Sequence, residues 1–366
     1  MADSRSSLVR ENVLGLVPYS PGKPIEEVKR EIGLDDITKM ASNENVLGPS
    51  PKAVEAMRAA AESVYLYPDG SWFRLRHALA SRLGVSAESI VVGNGSDEII
   101  HFLGLTFLNA ADEMIQGDPS FVRYEAAAAL NLAKCHLVPL RDFTHDLVAM
   151  REAVNDRTKL VFIASPNNPT GTINTKAEVD AFLADLPDHV LPVFDEAYKE
   201  YVDAPDYPET VDYVREGRNV IVLRTFSKAY ALAGLRVGYG IAPPELIGYL
   251  NQVREPFNVS SIAQEAAIAS LEDEDQVKRA RAMNSAGKRY LYAQFEALGL
   301  AYVPTEANFV FVDVGRDCME VFRALMQLGV IARAGLGMPT HLRVTIGRQE
   351  DNERFIAALS EVLHGT

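Results

Sequence analysis

Between Ser89 and Thr225 the chain alternates short apolar runs with stretches that leave room for a helix. The runs at Ser89–Val92, Glu113–Gln116, Cys135–Pro139, Lys159–Ala164, Val190–Val193 and Asn219–Thr225 read as strands, and Asp97–Phe107 and Tyr124–Asn131 read as helices between the first three. Runs this apolar must be buried on both faces. The order therefore specifies an α/β protein with a mostly parallel central sheet and helices on both faces. In such sheets ligands bind outside the carboxyl ends of the strands. The polar residues that follow each run are where the chemistry is expected.

Three of these loops carry matching chemistry. After Asn219–Thr225 comes Phe226-Ser227-Lys228, with Arg236 eight residues beyond the lysine. A lysine amine can form a Schiff base with an aldehyde, and Ser227, Lys228 and Arg236 suit a phosphate. Aldehyde and phosphate on one small molecule describe pyridoxal 5′-phosphate. After Val190–Val193 stands Asp195, an acid able to keep a pyridine nitrogen protonated, followed by Tyr198. After Lys159–Ala164 comes Ser165-Pro-Asn-Asn-Pro-Thr-Gly171, where Asn168, together with the Tyr198 hydroxyl, can donate to a phenolate oxygen. Singly, these residues read as a solvated lysine, a helix cap and a turn. Asn168, Asp195, Lys228 and Arg236 in that order fit one cofactor. Gly93-Asn-Gly-Ser96-Asp97 opens a helix whose first N–H groups, those of Ser96 and Asp97, suit the same phosphate. The Asp97 side chain, awkward beside an anion, is expected to cap that helix.

These segments, with Ala41-Ser-Asn-Glu-Asn-Val-Leu-Gly-Pro-Ser50, Tyr67-Pro-Asp-Gly70 and Leu342-Arg-Val-Thr-Ile-Gly347, resemble the class II, fold-type I pyridoxal-phosphate-dependent aminotransferases, and within them the histidinol-phosphate aminotransferase family. The resemblance runs from about residue 12 to the C-terminus. It implies a catalytic Lys228 supported by Asp195 and Tyr198, and an aromatic ring, Phe121, stacked on the pyridine. It also implies that Tyr67 reaches the cofactor phosphate of a neighbouring subunit, so that the enzyme is a homodimer with shared sites. Arg343 and Arg333 become the candidates for substrate anions, with Tyr19 and Asn43 close to the substrate. Val46 departs from the family pattern, which has proline there. The implied reaction passes the amino group of L-histidinol phosphate to 2-oxoglutarate. Aromatic amino acids as donors, decarboxylation of a phosphorylated amino acid, and a non-catalytic regulator are the alternatives. The regulator normally carries a fused DNA-binding domain, for which about 45 residues before the first cofactor motifs leave no room.

Length and composition set the remaining bounds. The 366 residues suffice for two domains: a large cofactor domain at 46–256 and a small α+β domain at 257–366, with an arm at 1–45 packing on the latter. Within the small domain a long charged helix is read over Gln264–Leu298, with strands at Phe309–Asp313 and His341–Ile346. A net charge of −14 argues against nucleic-acid and anionic-membrane partners. Cys135 and Cys318, far apart, show no metal spacing and fit a reducing cytoplasm. No apolar stretch near the N-terminus is long enough for a signal peptide or a membrane span.

Overall fold

The computed structural model describes residues 6–16, 18 and 25–365. Twelve strands occur along them: β1 Thr38–Lys39, β2 Ile90–Gly93, β3 Glu113–Asp118, β4 Lys134–Pro139, β5 Thr158–Ala164, β6 Leu191–Asp195, β7 Ile221–Thr225, β8 Gly238–Ile241, β9 Tyr302–Val303, β10 Phe309–Asp313, β11 Val330–Ile331 and β12 His341–Thr345. The central sheet has seven strands in the order β2-β8-β7-β6-β5-β3-β4. The pairs joining β4, β3, β5, β6 and β7 are parallel, whereas β8 runs antiparallel to both β7 and β2. Strands β5, β6 and β7 are apolar and buried nearly throughout, as a sheet covered on both faces requires.

Because β3, β5, β6 and β7 point the same way, Asp118, Ala164, Asp195 and Thr225 end at one edge of the sheet. The antiparallel β8 begins at that edge, which brings Arg236, two residues before Gly238, beside the helix Ser96–Phe107. A Cβ on Gly238 would lie 2.5 Å from the Ser96 backbone nitrogen, so only glycine allows this approach.

A second apolar core forms around β10 and β12, and takes in Phe295, Leu325 and Phe355. Its sheet is antiparallel, in the order β12-β10-β9. The segment before residue 45 is stitched to it: β1 pairs in parallel with β11, and the Thr345 N–H donates to the Met40 carbonyl at 2.8 Å. The chain at Ala41–Asn45 is thereby carried to the end of the large sheet.

The expected helix over Gln264–Leu298 is two helices, Ser261–Leu271 and Glu274–Ala297. The break follows from Asp273, whose carboxylate accepts from the Gln276 N–H at 3.3 Å and from the Ser50 hydroxyl at 2.5 Å. It caps a new helix instead of continuing the old one. The short strands β1, β9 and β11 had no counterpart in the sequence reading, since two residues carry no alternation to read, and β8 was missed as well, its Gly-Tyr-Gly-Ile being short and glycine-rich.

Candidate active site

A cavity of about 270 Å³ opens where the carboxyl ends of β5, β6 and β7 meet the Ala41–Glu44 segment. Of the predicted residues, Ser96, Asp97, Phe121, Asn168, Asp195, Tyr198, Ser227, Lys228, Arg236, Arg333, Arg343 and Asn43 all line it. Tyr67 does not: it is 83% exposed, with its ring stacked on Phe257 at 4.8 Å. Tyr19 lies outside the described residues.

Lys228 follows β7, and its Nζ donates to the Ser42 carbonyl at 3.1 Å while standing 5.6 Å from the centre of the Tyr198 ring. Burial, and then the nearby Arg343 guanidinium, push its ammonium down to about 8. About a tenth of the side chain is therefore the neutral, nucleophilic amine at pH 7, far more than for an ordinary lysine. Asp195, at the end of β6, is pushed up to about 6 by burial. The Tyr124 hydroxyl, which donates to it at 2.7 Å, and the Ala197 N–H at 3.2 Å oppose that rise. A buried carboxylate poised in this way gains strongly from a cationic ring nitrogen.

At the other end of the cavity the helix Ser96–Phe107 presents its N-terminus, where the first N–H groups have no intrahelical acceptor. Arg236, held at φ +53°, donates to the Ser227 hydroxyl at 3.4 Å and to the Ala233 carbonyl at 3.2 Å. Gly95, at φ +76°, lies so close that a Cβ would overlap the Arg236 guanidinium. Backbone donors, a hydroxyl and a guanidinium thus converge on a cradle that a side chain at Gly95 would fill. This donor set fits a phosphate monoester, and the lysine and buried acid alongside fit the rest of pyridoxal 5′-phosphate.

One detail corrects the sequence reading. Asp97 does not cap the helix. Its carboxylate pairs with Arg236 at 3.4 Å, and Glu98 takes the terminal role by accepting from the Asn94 N–H at 2.6 Å. A carboxylate three residues into the helix can reach back over Gly95, whereas Asp97 is one methylene shorter and faces the cavity.

Asn43, at φ +57°, donates from its amide to the Tyr198 hydroxyl at 2.9 Å, and its backbone N–H donates to Thr345 at 2.9 Å. Arg343, on β12, donates to the Asn168 side-chain oxygen and, at 2.6 Å, to the Ala41 carbonyl. Arg333 and Arg343 exchange backbone hydrogen bonds of 3.0 and 2.8 Å, which places the two arginines side by side. They line both this cavity and an adjoining one of about 580 Å³, which continues past Phe121 and Asn168 to the 333–337 loop and to Gly15, Leu16 and Pro18.

Sequence reasoning missed two contributors. Tyr124 reads in the sequence only as the start of a helix, and the stacking of its ring on Phe162 at 4.4 Å aims its hydroxyl at Asp195. Arg224 lay inside the lysine segment without a role. It is buried, and it binds Glu196 and Glu209 at 2.8 Å each. Glu196 also accepts from Thr210 at 2.7 Å. This network fixes the end of β6, which carries Asp195, against β7, which leads to Lys228. The alternation Arg-Thr and Asp-Glu at the two strand ends was the available signal.

The sequence model of the "Aminotransferase class I and II" family matches residues 35–359. The chain is 57% identical to the histidinol-phosphate aminotransferase of Moorella thermoacetica over 357 residues, covering 97% of this chain and 92% of that one. It is 48% identical to histidinol-phosphate aminotransferase 1 of Nitrosococcus oceani, covering 97% of each. The crystal structure of histidinol-phosphate aminotransferase from Sinorhizobium meliloti in complex with pyridoxal-5′-phosphate superposes with a TM-score of 0.91 at 29% identity, covering 100% of this chain and 99% of that one. A cavity built for this cofactor, a family model spanning most of the sequence, and near-full-length identity to these enzymes agree: the chain belongs to the class I and II aminotransferases, in the histidinol-phosphate aminotransferase family.

Proposed function

We propose that the protein transfers the amino group of L-histidinol phosphate to 2-oxoglutarate, yielding imidazole acetol phosphate and glutamate, a step of histidine biosynthesis. The observation that carries the reading is the side-by-side placement of Arg333 and Arg343 at the junction of the two cavities. One donor carries a phosphate and the acceptor two carboxylates, and paired guanidinium groups suit both. The cofactor is pyridoxal 5′-phosphate. It supplies a carbonyl that receives amines and a ring that takes up the electrons of a broken bond.

The residues divide the remaining work. Ser96, Ser227 and Arg236 hold the phosphate, with the helix N-terminus behind it. Phe121, which lines the cavity, would cover one face of the ring. Asp195 holds a proton on the ring nitrogen, with Tyr124 keeping the carboxylate ionised and oriented. Asn168 and Tyr198 donate to the ring oxygen, and Asn43 orients Tyr198. Lys228 Nζ holds the cofactor between turnovers, then removes and returns the proton at the substrate α-carbon. Its lowered pKa keeps it available as a base.

We also propose a homodimer with shared sites. Val64, Tyr65, Leu66, Tyr67, Phe73 and Phe257 are exposed large apolar side chains, and Tyr67 stacks on Phe257, which supports burial against a second copy. The division at 45/46 is supported by the β1–β11 pairing, but the helix Ser261–Leu271 packs into the large core through Ala263, Ala266, Ala267 and Leu271, so the second division falls after that helix and not at 256/257. No described helix is long and apolar enough to cross a membrane, and the two unbridged cysteines support a cytoplasmic setting.

The test is a single-turnover half-reaction of the cofactor-loaded enzyme with L-histidinol phosphate, L-phenylalanine and L-tyrosine, following loss of the cofactor's visible band. L-Histidinol phosphate is expected to react fastest per unit concentration. A faster reaction with either aromatic amino acid would replace it as the donor.

A further inference from the structure

Gln116 lies on β3, two residues before the strand's carboxyl end, and is 3% exposed. Its side-chain oxygen is buried without a hydrogen-bond partner, and the residue is among those lining the larger cavity of about 580 Å³. A buried amide left without a partner is costly, on the order of 1–3 kcal/mol, and such groups usually await a ligand or a water. The charges around this cavity are divided. Asp118 and Glu125 line it together with Gln116, while Arg333 and Arg343 line both it and the lysine cavity. An anionic group is drawn to the arginines and repelled from the carboxylates, so an extended donor enters with its anion at the arginine end. The opposite end is left for a neutral or cationic polar group.

Resting on the amino-transfer reading above, we propose that Gln116 selects the amine donor by hydrogen-bonding a ring nitrogen of its heteroaromatic side chain. A primary amide suits this task because rotation by half a turn exchanges its donor and acceptor, so it meets either tautomer of an imidazole. A phenyl ring offers no partner and leaves the amide unpaired. The discrimination thus comes from the site's own buried polar group.

The experiment compares wild type with Gln116→Met, which keeps the bulk and removes both hydrogen-bonding ends. For the cofactor-loaded enzymes, kcat/KM is measured with L-histidinol phosphate and with L-phenylalanine. The loss for L-histidinol phosphate is expected to exceed that for L-phenylalanine by about ten-fold, the scale of one hydrogen bond. It should appear mainly in KM. Equal losses for both donors, as a purely structural role predicts, or no loss for either, would overturn the assignment while leaving the amino-transfer reading intact. Failure of the wild-type enzyme to use L-histidinol phosphate at all would overturn both. Should the methionine variant not fold, Gln116→Asn, with its amide one methylene short, carries the same comparison and the same expected inequality.

Discussion

The Tyr124 hydroxyl donates to Asp195 at 2.7 Å from a ring buried between Phe121 and Phe162. Asp195 is pushed up to about 6 by burial, and this bond is the first of two that hold it down. Tyr124→Phe removes the bond and leaves the packing, so the Asp195 pKa rises further. The pH below which the carboxyl is protonated moves upward, and the acid limb of the pH profile for cofactor binding shifts to higher pH. Spectroscopic titration of apoprotein with pyridoxal 5′-phosphate between pH 5 and 8 checks this. An unmoved limb would assign it to another group.

Arg343 lowers the Lys228 ammonium towards about 8, after burial. Arg343→Gln removes a neighbouring cation and raises that pKa, so attachment of the cofactor aldehyde requires higher pH. The pH dependence of the attachment rate reads the shift directly. Arg343→Lys keeps the charge but cannot reach Asn168 and the Ala41 carbonyl together. Its KM is expected to rise about ten-fold or more for both the amine donor and 2-oxoglutarate. A rise for one substrate alone would confine Arg343 to that half-reaction.

Tyr67 is exposed and does not line its own chain's cavity, so its expected role depends on a second copy. Lys228→Ala should abolish turnover, and Tyr67→Phe should weaken cofactor retention. In a mixed dimer with shared sites the two lesions fall in the same composite site, leaving the other site free of both. Subunit exchange between the two inactive or impaired variants should therefore restore activity. If none returns, Tyr67 and Lys228 serve the same chain.

His145 is buried, and burial pushes its imidazole down to about 4. Folded protein keeps it neutral where the unfolded chain, with a pKa near 6.5, takes up a proton. Stability is therefore lost as pH falls from about 6.5 to 4, by roughly 3 kcal/mol in all. Asp195 in the apoprotein acts oppositely, since its raised pKa favours the folded state as pH falls below about 6. The comparison is therefore made against His145→Met. The variant's loss of Tm between pH 6.5 and 4.5 should be smaller than that of wild type, and parallel curves would exclude His145 as the acid-sensitive group.

Local chemistry along the chain carried much of this protein. Apolar runs ending in Asn168, Asp195 and Lys228 specified a mostly parallel sheet and its active edge, because sheet type and burial follow from the strand–helix alternation and from apolarity, whereas the order of the strands came only from the fold. The glycines before Ser96 marked the phosphate cradle for the same local reason. Tertiary structure decided what depends on distance across the chain. Asp97 turned to Arg236 instead of capping its helix, because β8 reverses direction and delivers Arg236 to the helix start. Tyr124 became a partner of Asp195 through its stack on Phe162, and Arg333 met Arg343 through a backbone bridge between a loop and β12. Ser50 likewise met the Asp273 carboxylate, 223 residues away, only in the fold. Such pairings are settled by packing between elements, and residue order alone carries no periodicity that encodes them.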